Sequence, residues 1–276
     1  MKFGVACMIT DESISPTALA TAVEERSFDS MFVGDHSHIP TSRESPFPFG
    51  GDLPREFHRE FDAFAALSAA AVVTTSLTIG TGVVLPAQRD VFYTAKQVAT
   101  VDHLCGGRFV FGVGTGWITE QMRNHGIDPC TCGARLDEHL RALDAIWTRD
   151  EAEFHGTYLD FDPVFSWPKP VQAHVPVYVG GESAAAVRRA AALGDAWMPN
   201  SVLDPARVEA QFALRDRYAP GTPLVAYAVT PDNLPVIEEY ARQGADQIVL
   251  HLPTLPADQA ITVLDAMVTT AQQYRS

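Results

Sequence analysis

The sequence predicts an α/β fold, a (β/α)8 barrel, from three observations. Short apolar runs rich in β-branched residues alternate with longer helical patterns, which is typical of βα units on a parallel sheet. The chain has 276 residues, the length that a barrel of eight such units needs. The runs are almost continuously apolar, as expected of strands that are covered on both faces. The predicted strands span residues 3–8, 31–34, 78–84, 109–114, 177–180, 196–198, 224–229 and 247–252.

Capping residues mark where helices begin between these runs. Ser15 precedes Pro16 and Asp204 precedes Pro205, which places an N-cap before a proline at the first helical position. Ser183 precedes an alanine-rich segment that ends at a glycine, so both ends of this helix are marked. These signals predict a helix after most of the strands, as the barrel requires.

Two segments exceed the minimal repeat and predict insertions, one after the second strand and one before the fifth. Residues 38–54 are rich in Pro, Gly, Ser and Arg, and residues 153–175 are extended, aromatic and rich in proline. Because the loops that follow strands build the active-site face of such a barrel, we expect the first insertion to cover a substrate. No change of composition divides the chain, so residues 1–276 are expected to form a single barrel domain.

Composition and charge restrict the classes of function. The 34 acidic and 20 basic residues give a net charge of −14, which disfavours binding to nucleic acid or to an anionic membrane surface. The N-terminus lacks the pattern of a signal peptide, and no apolar run is long enough to span a membrane. The four cysteines lack the spacing of zinc or redox motifs, which favours free thiols in a cytoplasmic protein.

Asp35 and His36 stand where the second strand ends, at the rim that carries active sites in barrel enzymes. A histidine there can exchange a proton with a substrate near neutral pH, and the adjacent carboxylate is expected to fix its tautomer or raise its pKa. A histidine that only caps the strand is the structural alternative.

His36 and His38 also suggest a metal pair, but only His251 offers a third imidazole on another strand end, so a metal-dependent hydrolase is a remote alternative.

Three glycine-containing segments at strand ends predict where a cofactor binds. The glycine of the third strand would let a flat ring approach the backbone, although packing against a neighbouring strand explains it as well. The turn after the fourth strand lacks the glycine spacing of a dinucleotide-binding motif, but its backbone amides can bind an anion. The tryptophan that follows this turn would form a wall of the cofactor site or would be an ordinary core residue. The Gly-Gly pair before a capped helix would hold a phosphate or simply allow a tight turn. The candidate cofactor-binding residues are Thr81, Gly82, Val83, Gly114, Thr115, Gly116, Trp117, Gly180, Gly181, Glu182 and Ser183.

The order of these motifs resembles the luciferase-like monooxygenase superfamily, in particular its actinobacterial branch that depends on the deazaflavin coenzyme F420. The matching segments are Asp35-His36 and residues 79–83, 95–117, 168–172, 177–181 and 194–195. The resemblance implies a (β/α)8 barrel with the deazaflavin in its mouth and a non-prolyl cis peptide at Gly82-Val83.

The same resemblance implies roles for individual residues. Asp35 and His36 would lie beside the ring and the substrate, whereas residues 114–116 and 180–183 would hold the ribityl phosphate and its tail. Trp117 stands where some relatives carry a catalytic glutamate, which argues against a sugar-phosphate dehydrogenase. The family also implies a homodimer.

We therefore expect an oxidoreductase that moves a hydride between coenzyme F420 and a small organic substrate, with His36 as proton donor or acceptor. An FMNH2-dependent two-component monooxygenase on the same barrel is one alternative, and a flavin-binding protein without catalysis is another. Phe47 and Phe49 of the first insertion, with Cys7 and Met8 at the end of the first strand, are expected to line the substrate pocket.

Overall fold

Eight parallel strands form the barrel in the computed structural model, which describes residues 1–275. The described residues contain ten strands in all, namely β1 (Lys2–Cys7), β2 (Ser30–Val33), β3 (Thr78–Thr81), β4 (Phe109–Val113), β5 (Glu151–His155), β6 (Asp160–Phe165), β7 (Val177–Gly180), β8 (Ala196–Met198), β9 (Val225–Val229) and β10 (Gln247–His251). All except β5 and β6 pair in the order β8-β7-β4-β3-β2-β1-β10-β9. Bridges from Trp197 to Leu224 and from Asn200 to Tyr227 connect β8 with β9. The predicted (β/α)8 barrel is confirmed.

Nine helices among the described residues surround this sheet. They are α1 (Pro16–Glu25), α2 (Ala63–Ala71), α3 (Val91–Leu104), α4 (Thr119–Asn124), α5 (Cys132–Thr148), α6 (Ala184–Leu193), α7 (Pro205–Tyr218), α8 (Leu234–Gln243) and α9 (Ala257–Tyr274). The predicted caps are confirmed, since Ser15, Ser183 and Asp204 each accept a hydrogen bond from a backbone N–H in the first turn. Within residues 1–275, none of the helices combines the length and apolar character needed to cross a membrane.

A small layer of side chains fills the inside of the barrel below its mouth. Phe32 is fully buried there, and its ring centroid lies 6.3 Å from those of Tyr178 and Tyr227. Gly80 makes this packing possible, because a Cβ at Gly80 would lie 2.5 Å from Phe32 Cε1. The larger hydrophobic layer lies between the strands and the helices. The interior layer consists of Ala6, Phe32, Val110, Ala196, Met198, Val225 and Val249, with Val83, Tyr178 and Tyr227 packed against it.

The second insertion lies on the outside of the barrel. Its strands β5 and β6 pair antiparallel, and Phe161 of this hairpin contacts Phe92 of α3 with ring centroids 4.9 Å apart. The Glu138 carboxylate of α5 accepts hydrogen bonds from the backbone N–H groups of residues 157–159. This insertion therefore covers helices α3 and α5, and the first insertion alone lies with the loops that follow strands.

The predicted third strand extends too far along the chain. Regular pairing of β3 ends at Thr81. The peptide bond between Gly82 and Val83, shortly after this end, is cis, as the family resemblance implied. Val84 returns to the sheet only through an isolated bridge with Val113. The apolar pattern continues through residue 84 because these side chains stay buried or half-buried after the ladder ends, so hydrophobicity alone does not mark the break.

Candidate active site

A cavity of about 400 Å³ opens among the loops that follow β2, β3 and β4. These loops lie at the carboxyl end of the barrel, where (β/α)8 enzymes carry their active sites. The cavity brings together polar side chains from four separate segments of the chain. Its lining residues are Asp35, His36, Ser37, Glu60, Asp62, Leu85, Gln88, Arg89, Gln121 and His125.

His36 is held in this cavity by an amide side chain. Its Nδ1 lies 3.2 Å from Gln121 Oε1, and Gln121 Nε2 donates to Ser37 Oγ at 3.3 Å. This orientation of the amide makes Nδ1 the proton donor and leaves Nε2 as the acceptor. Burial lowers the pKa of His36, and the opposing effects of Gln121 and Asp35 do not compensate for it. His36 is therefore a neutral base near neutral pH.

Asp35 contacts an arginine and not the imidazole. Arg89 Nε donates to Asp35 Oδ2 at 2.9 Å, and Arg89 Nη2 donates to Asp35 Oδ1 at 2.5 Å. The same Nη2 lies 3.2 Å from Asp62 Oδ2. Of the two predicted effects of Asp35 on His36, the tautomer is set by Gln121 instead, which holds Nδ1. The charge of Asp35 does raise the pKa of His36, but burial outweighs this effect. Asp35 instead fixes the rim of the cavity.

His38 belongs to a polar network at the surface and not to a metal site. Ser37 Oγ lies 3.0 Å from His38 Nδ1 and 2.8 Å from His125 Nε2, and Asn124 Nδ2 lies 2.9 Å from His38 Nε2. Across residues 1–275, no group of three or more His, Cys, Asp or Glu side chains is arranged to hold a metal ion. The hydrolase alternative thus lacks the ligand set that it requires.

Aromatic side chains of the first insertion form a cluster beside His36, although none of them is among the residues that line the cavity. The Phe47 ring centroid lies 5.4 Å from that of Phe49, 5.5 Å from that of Phe57 and 5.9 Å from that of Trp117. Trp117 and Phe57 in turn lie 6.5 and 5.6 Å from the His36 ring. The predicted pocket residues Phe47 and Phe49 and the candidate wall Trp117 are therefore in one aromatic cluster next to His36.

Glu120, which the sequence analysis did not identify, ties the first insertion to α4. Its Oε1 accepts hydrogen bonds from the backbone N–H groups of Glu44 and Ser45 at 2.6 and 2.9 Å, and its Oε2 accepts one from Ser45 Oγ at 2.5 Å. Burial raises the pKa of Glu120, but these hydrogen bonds together outweigh burial and lower the pKa to about 2. The carboxylate is thus ionised and anchors the loop that carries Phe47.

We expect Glu120→Ala to loosen this loop. Losing the acceptor leaves buried donors unsatisfied and costs about 1–3 kcal/mol. The carboxylate stabilises the fold above its ordinary pKa of 4.5, and this stabilisation is lost as the pH falls toward about 2. Hydrogen exchange should accelerate at the amides of residues 44 and 45, and the loss of stability should shrink in acid. The exposed Glu238→Ala is the control, and unchanged exchange at residues 44 and 45 would refute the anchoring role.

The mouth of the barrel is built around the cis peptide. Gly82 N–H donates to Val33 O at 2.7 Å, and a Cβ at Gly82 would overlap with the Tyr227 hydroxyl group. Thr81 Oγ1 donates to Gly112 O at 2.7 Å, which ties β3 to β4. Close packing against Tyr227 therefore explains why residue 82 is a glycine, which is the structural explanation that the sequence left open. The hydrogen bond to Val33 O places this peptide next to the end of β2.

The Val83 side chain packs against two glycines, Gly114 and Gly180. A Cβ at Gly114 would lie 2.7 Å from Val83 Cγ2, and a Cβ at Gly180 would lie 3.1 Å from Val83 Cγ1. Gly116 has a φ of 80°, a conformation that favours glycine, and Thr115 Oγ1 lies 3.4 Å from Gly116 O. The three glycine-containing segments thus meet at one place, and their assignment to a cofactor stays a prediction.

The segment after β7 forms a capped helix N-terminus. Ser183 Oγ accepts from Ala186 N–H at 3.2 Å, and Gly181 has a φ of 103°. The first amides of α6 have no partner within the helix and carry the positive end of its dipole. Glu182 Oε1 accepts from the backbone N–H and the side chain of Asn200 at 3.1 and 2.8 Å. This arrangement can bind an anion through backbone groups.

Cys7 and Met8 stand at the end of β1. Cys7 is buried, and burial together with the negative charges of Glu60 and Glu56 raises the pKa of its thiol to about 12. Met8 O accepts a hydrogen bond from Thr254 Oγ1 at 2.9 Å, so this backbone is tied to the loop after β10. Neither residue lines the cavity at His36, and their role in a substrate pocket stays a prediction.

Comparisons with known proteins give the family. Residues 1–229 match the model of the luciferase-like monooxygenase family. The chain is 33% identical over 279 residues to an uncharacterised protein of Mycobacterium tuberculosis, covering 97% of each. It is 29% identical over 195 residues to an F420-dependent glucose-6-phosphate dehydrogenase of Nakamurella multipartita, covering 66% of this chain and 51% of that protein. It is 33% identical over 138 residues to an FMNH2-dependent dimethylsulfone monooxygenase of Pseudomonas putida, covering 49% of this chain and 38% of that protein.

The fold of a solved structure agrees with this assignment. The crystal structure of the monooxygenase RslO1 from Streptomyces bottropensis superimposes with a TM-score of 0.81 at 18% identity, covering 100% of both chains. At that identity the likeness concerns the fold alone. The family match over residues 1–229 and the barrel lead to one assignment. The chain belongs to the luciferase-like monooxygenase family.

Proposed function

We propose that the protein is an oxidoreductase that transfers a hydride between coenzyme F420 and a small organic substrate, with His36 as the proton donor or acceptor. The observation that carries this proposal is the neutral His36 imidazole, held through Nδ1 by Gln121 in the cavity at the carboxyl end of the barrel. The F420-dependent relative supports the choice of coenzyme.

The backbone around Val83 would carry the flat ring of the coenzyme. The glycines at 114 and 180 make room for the Val83 side chain, since a Cβ at these positions would lie 2.7 and 3.1 Å from its methyl groups, and they keep the ends of β4 and β7 free of side chains. The amides at the start of α6, with Ser183 as the cap, would hold the phosphate. When bound, the coenzyme supplies the hydride acceptor or donor, and the protein supplies orientation and proton transfer.

The side chains of the cavity have separable tasks in this scheme. His36 Nε2 accepts a proton from a substrate hydroxyl group during oxidation, and the resulting imidazolium returns the proton during reduction. Gln121 keeps Nε2 available by holding Nδ1. The aromatic cluster of Phe47, Phe57 and Trp117 excludes water from one side of the ring of His36.

The same barrel supports a second candidate function, an FMNH2-dependent monooxygenase. The relative from Pseudomonas putida carries that activity in its name and is 33% identical over 138 residues. The glycine-rich strand ends fit the phosphate of FMN as well as that of the deazaflavin, because backbone amides recognise the anion and not the ring. The coenzyme must therefore be separated by measurement.

Titrations of the apoprotein with each coenzyme test the proposal. We expect F420 to bind at least about tenfold more tightly than FMN, a free-energy difference of about 1.4 kcal/mol, and to support turnover of an alcohol under anaerobic conditions. Quenching of coenzyme fluorescence reports the affinities. Tighter binding of FMN, with oxygen consumption in the presence of FMNH2, would replace the first candidate by the second. Tight binding of either coenzyme without any turnover would support a non-catalytic flavin-binding protein.

A further inference from the structure

A second ionisable group, Glu60, faces the cavity without a partner. Both of its carboxylate oxygens are inaccessible to solvent and have no hydrogen-bond partner within residues 1–275. The carboxyl group lies against the backbone after β2, because a Cβ at Gly34 would overlap with Glu60 Oε1. Glu60 also lines the cavity together with His36. A buried carboxylate without a donor is costly, so the environment of Glu60 favours its neutral form.

The groups around Glu60 strengthen this preference. Burial first, and repulsion by Asp35 second, raise the pKa of Glu60 to about 8, and the nearby backbone N–H of His36 offsets this only in part. The Glu60 carboxylate in turn opposes ionisation of Cys7 and Tyr227. At neutral pH the cavity thus contains a carboxylic acid and a neutral imidazole, two groups whose pKa values are shifted in opposite directions. The ionisable groups that face Glu60 from neighbouring segments or line the same cavity are Cys7, Asp35, His36, Asp62, Arg89, His125 and Tyr227.

A second side chain of the cavity has the same character. The Gln88 carboxamide is also inaccessible to solvent, and neither its oxygen nor its nitrogen has a hydrogen-bond partner in the part of the chain that the structure describes. Buried polar groups are normally satisfied. Two unsatisfied polar groups lining one cavity indicate a place for a ligand that carries hydrogen-bonding atoms.

The charges of the cavity decide which ligands fit. Arg89 is the only Lys or Arg side chain in its lining, and two carboxylates, Asp35 and Asp62, already occupy its guanidinium group. With Glu60 neutral, the lining retains two negative charges against one positive charge. An anionic substrate would meet repulsion and no free cation, whereas an uncharged molecule would meet no charge repulsion and would need only hydrogen bonds to replace those that it gives up to water.

We propose that the Glu60 carboxyl group, in its protonated form, donates a hydrogen bond to the carbonyl or hydroxyl oxygen of an uncharged substrate and so determines the substrate class of this site. This inference rests on the proposed function for the reaction, since it names the substrates of the same cavity. Glu60 acts in recognition, His36 remains the group that exchanges the proton, and ionisation of Glu60 removes the donor.

The protonation of Glu60 can be observed without coenzyme. Infrared difference spectra between about pH 6 and about pH 10, which bracket the raised pKa, should contain the C=O stretch of a buried carboxylic acid. This band should be present in the wild type and in the exposed control Glu238→Gln, and absent in Glu60→Gln. Glutamine keeps the size and a hydrogen-bond donor, so the folded state should persist. A wild-type spectrum without a band that depends on Glu60 would overturn the proposal.

Binding of a matched pair of probes tests recognition. By calorimetry, the apoprotein should bind cyclohexanone at about pH 6, and more weakly by about tenfold at about pH 10, whereas cyclohexanecarboxylate should not bind. In Glu60→Gln the affinity for cyclohexanone should no longer depend on pH. Binding of the carboxylate as tight as that of the ketone, an unchanged pH dependence in Glu60→Gln, or no binding of the ketone would each overturn the proposal. Because neither assay uses a coenzyme, failure of F420 turnover leaves these outcomes unaffected.

Discussion

His36→Ala is expected to reduce turnover by about 10²–10⁴-fold, the range that a positioned general acid or base contributes, and to leave the affinity for the coenzyme unchanged. The imidazole lies in the cavity with Nδ1 bound to Gln121, whereas the segments proposed to bind the coenzyme lie at the ends of β3, β4 and β7. Removing the ring would therefore remove the proposed proton acceptor and leave the glycine-containing backbone unchanged. The measurements are kcat with the preferred coenzyme and a fluorescence titration of the same variant.

His58→Ala is the matched control for this change. His58 is exposed on the 3-10 turn that precedes Glu60, so its loss should leave both kcat and coenzyme affinity unchanged. Wild-type kcat in His36→Ala would remove His36 from the mechanism. A loss of coenzyme affinity in parallel with kcat would mean that His36 acts by holding the coenzyme and not by exchanging a proton.

Gly112→Ala is expected to have the largest effect on stability. A Cβ at Gly112 would overlap with the carbonyl oxygen of Thr81 on the neighbouring strand and would lie 2.9 Å from Met198 Cε. Overpacking of a well-packed core typically costs about 1–3 kcal/mol, and here the obstacle is backbone inside the barrel, so we expect about 4 kcal/mol or more. The free energy of unfolding in urea measures the effect.

Gly133→Ala provides the comparison within the same chain. Gly133 lies in the first turn of α5, and a Cβ there would meet only the end of the flexible Arg189 side chain, at 3.2 Å. Alanine has the higher helix propensity, by about 1 kcal/mol, so this variant should be as stable as the wild type or more stable. Equal unfolding midpoints for Gly112→Ala and the wild type would contradict the close approach of β3 and β4.

Much of the fold could be predicted from local patterns. The eight apolar runs coincide with the eight barrel strands to within a few residues, because strands covered on both faces must be apolar along their length. The caps at Ser15 and Ser183 mark helix starts because side-chain oxygens satisfy amides only a few positions away. His36 was predicted for the site for a similar reason, since a polar residue directly after a strand lies at the rim of the barrel.

The partners of His36 could not be predicted in this way. Gln121 is 85 positions from His36, and Arg89 is 54 positions from Asp35. Neither stands in a motif, and the adjacency of Asp35 and His36 in the chain suggested a contact that the folded protein does not make. Glu60 and Glu120 carry no local signal either, although burial raises the pKa of one and hydrogen bonds lower that of the other.

The sequence by itself therefore determined the barrel, its two insertions and the strand end that carries the candidate base. The tertiary structure decided which loops meet there, and with them the protonation states of His36 and Glu60. The physical reason is that strand and helix patterns depend on neighbours within a few residues, whereas burial, desolvation and ion pairing depend on segments that approach only after the barrel has formed.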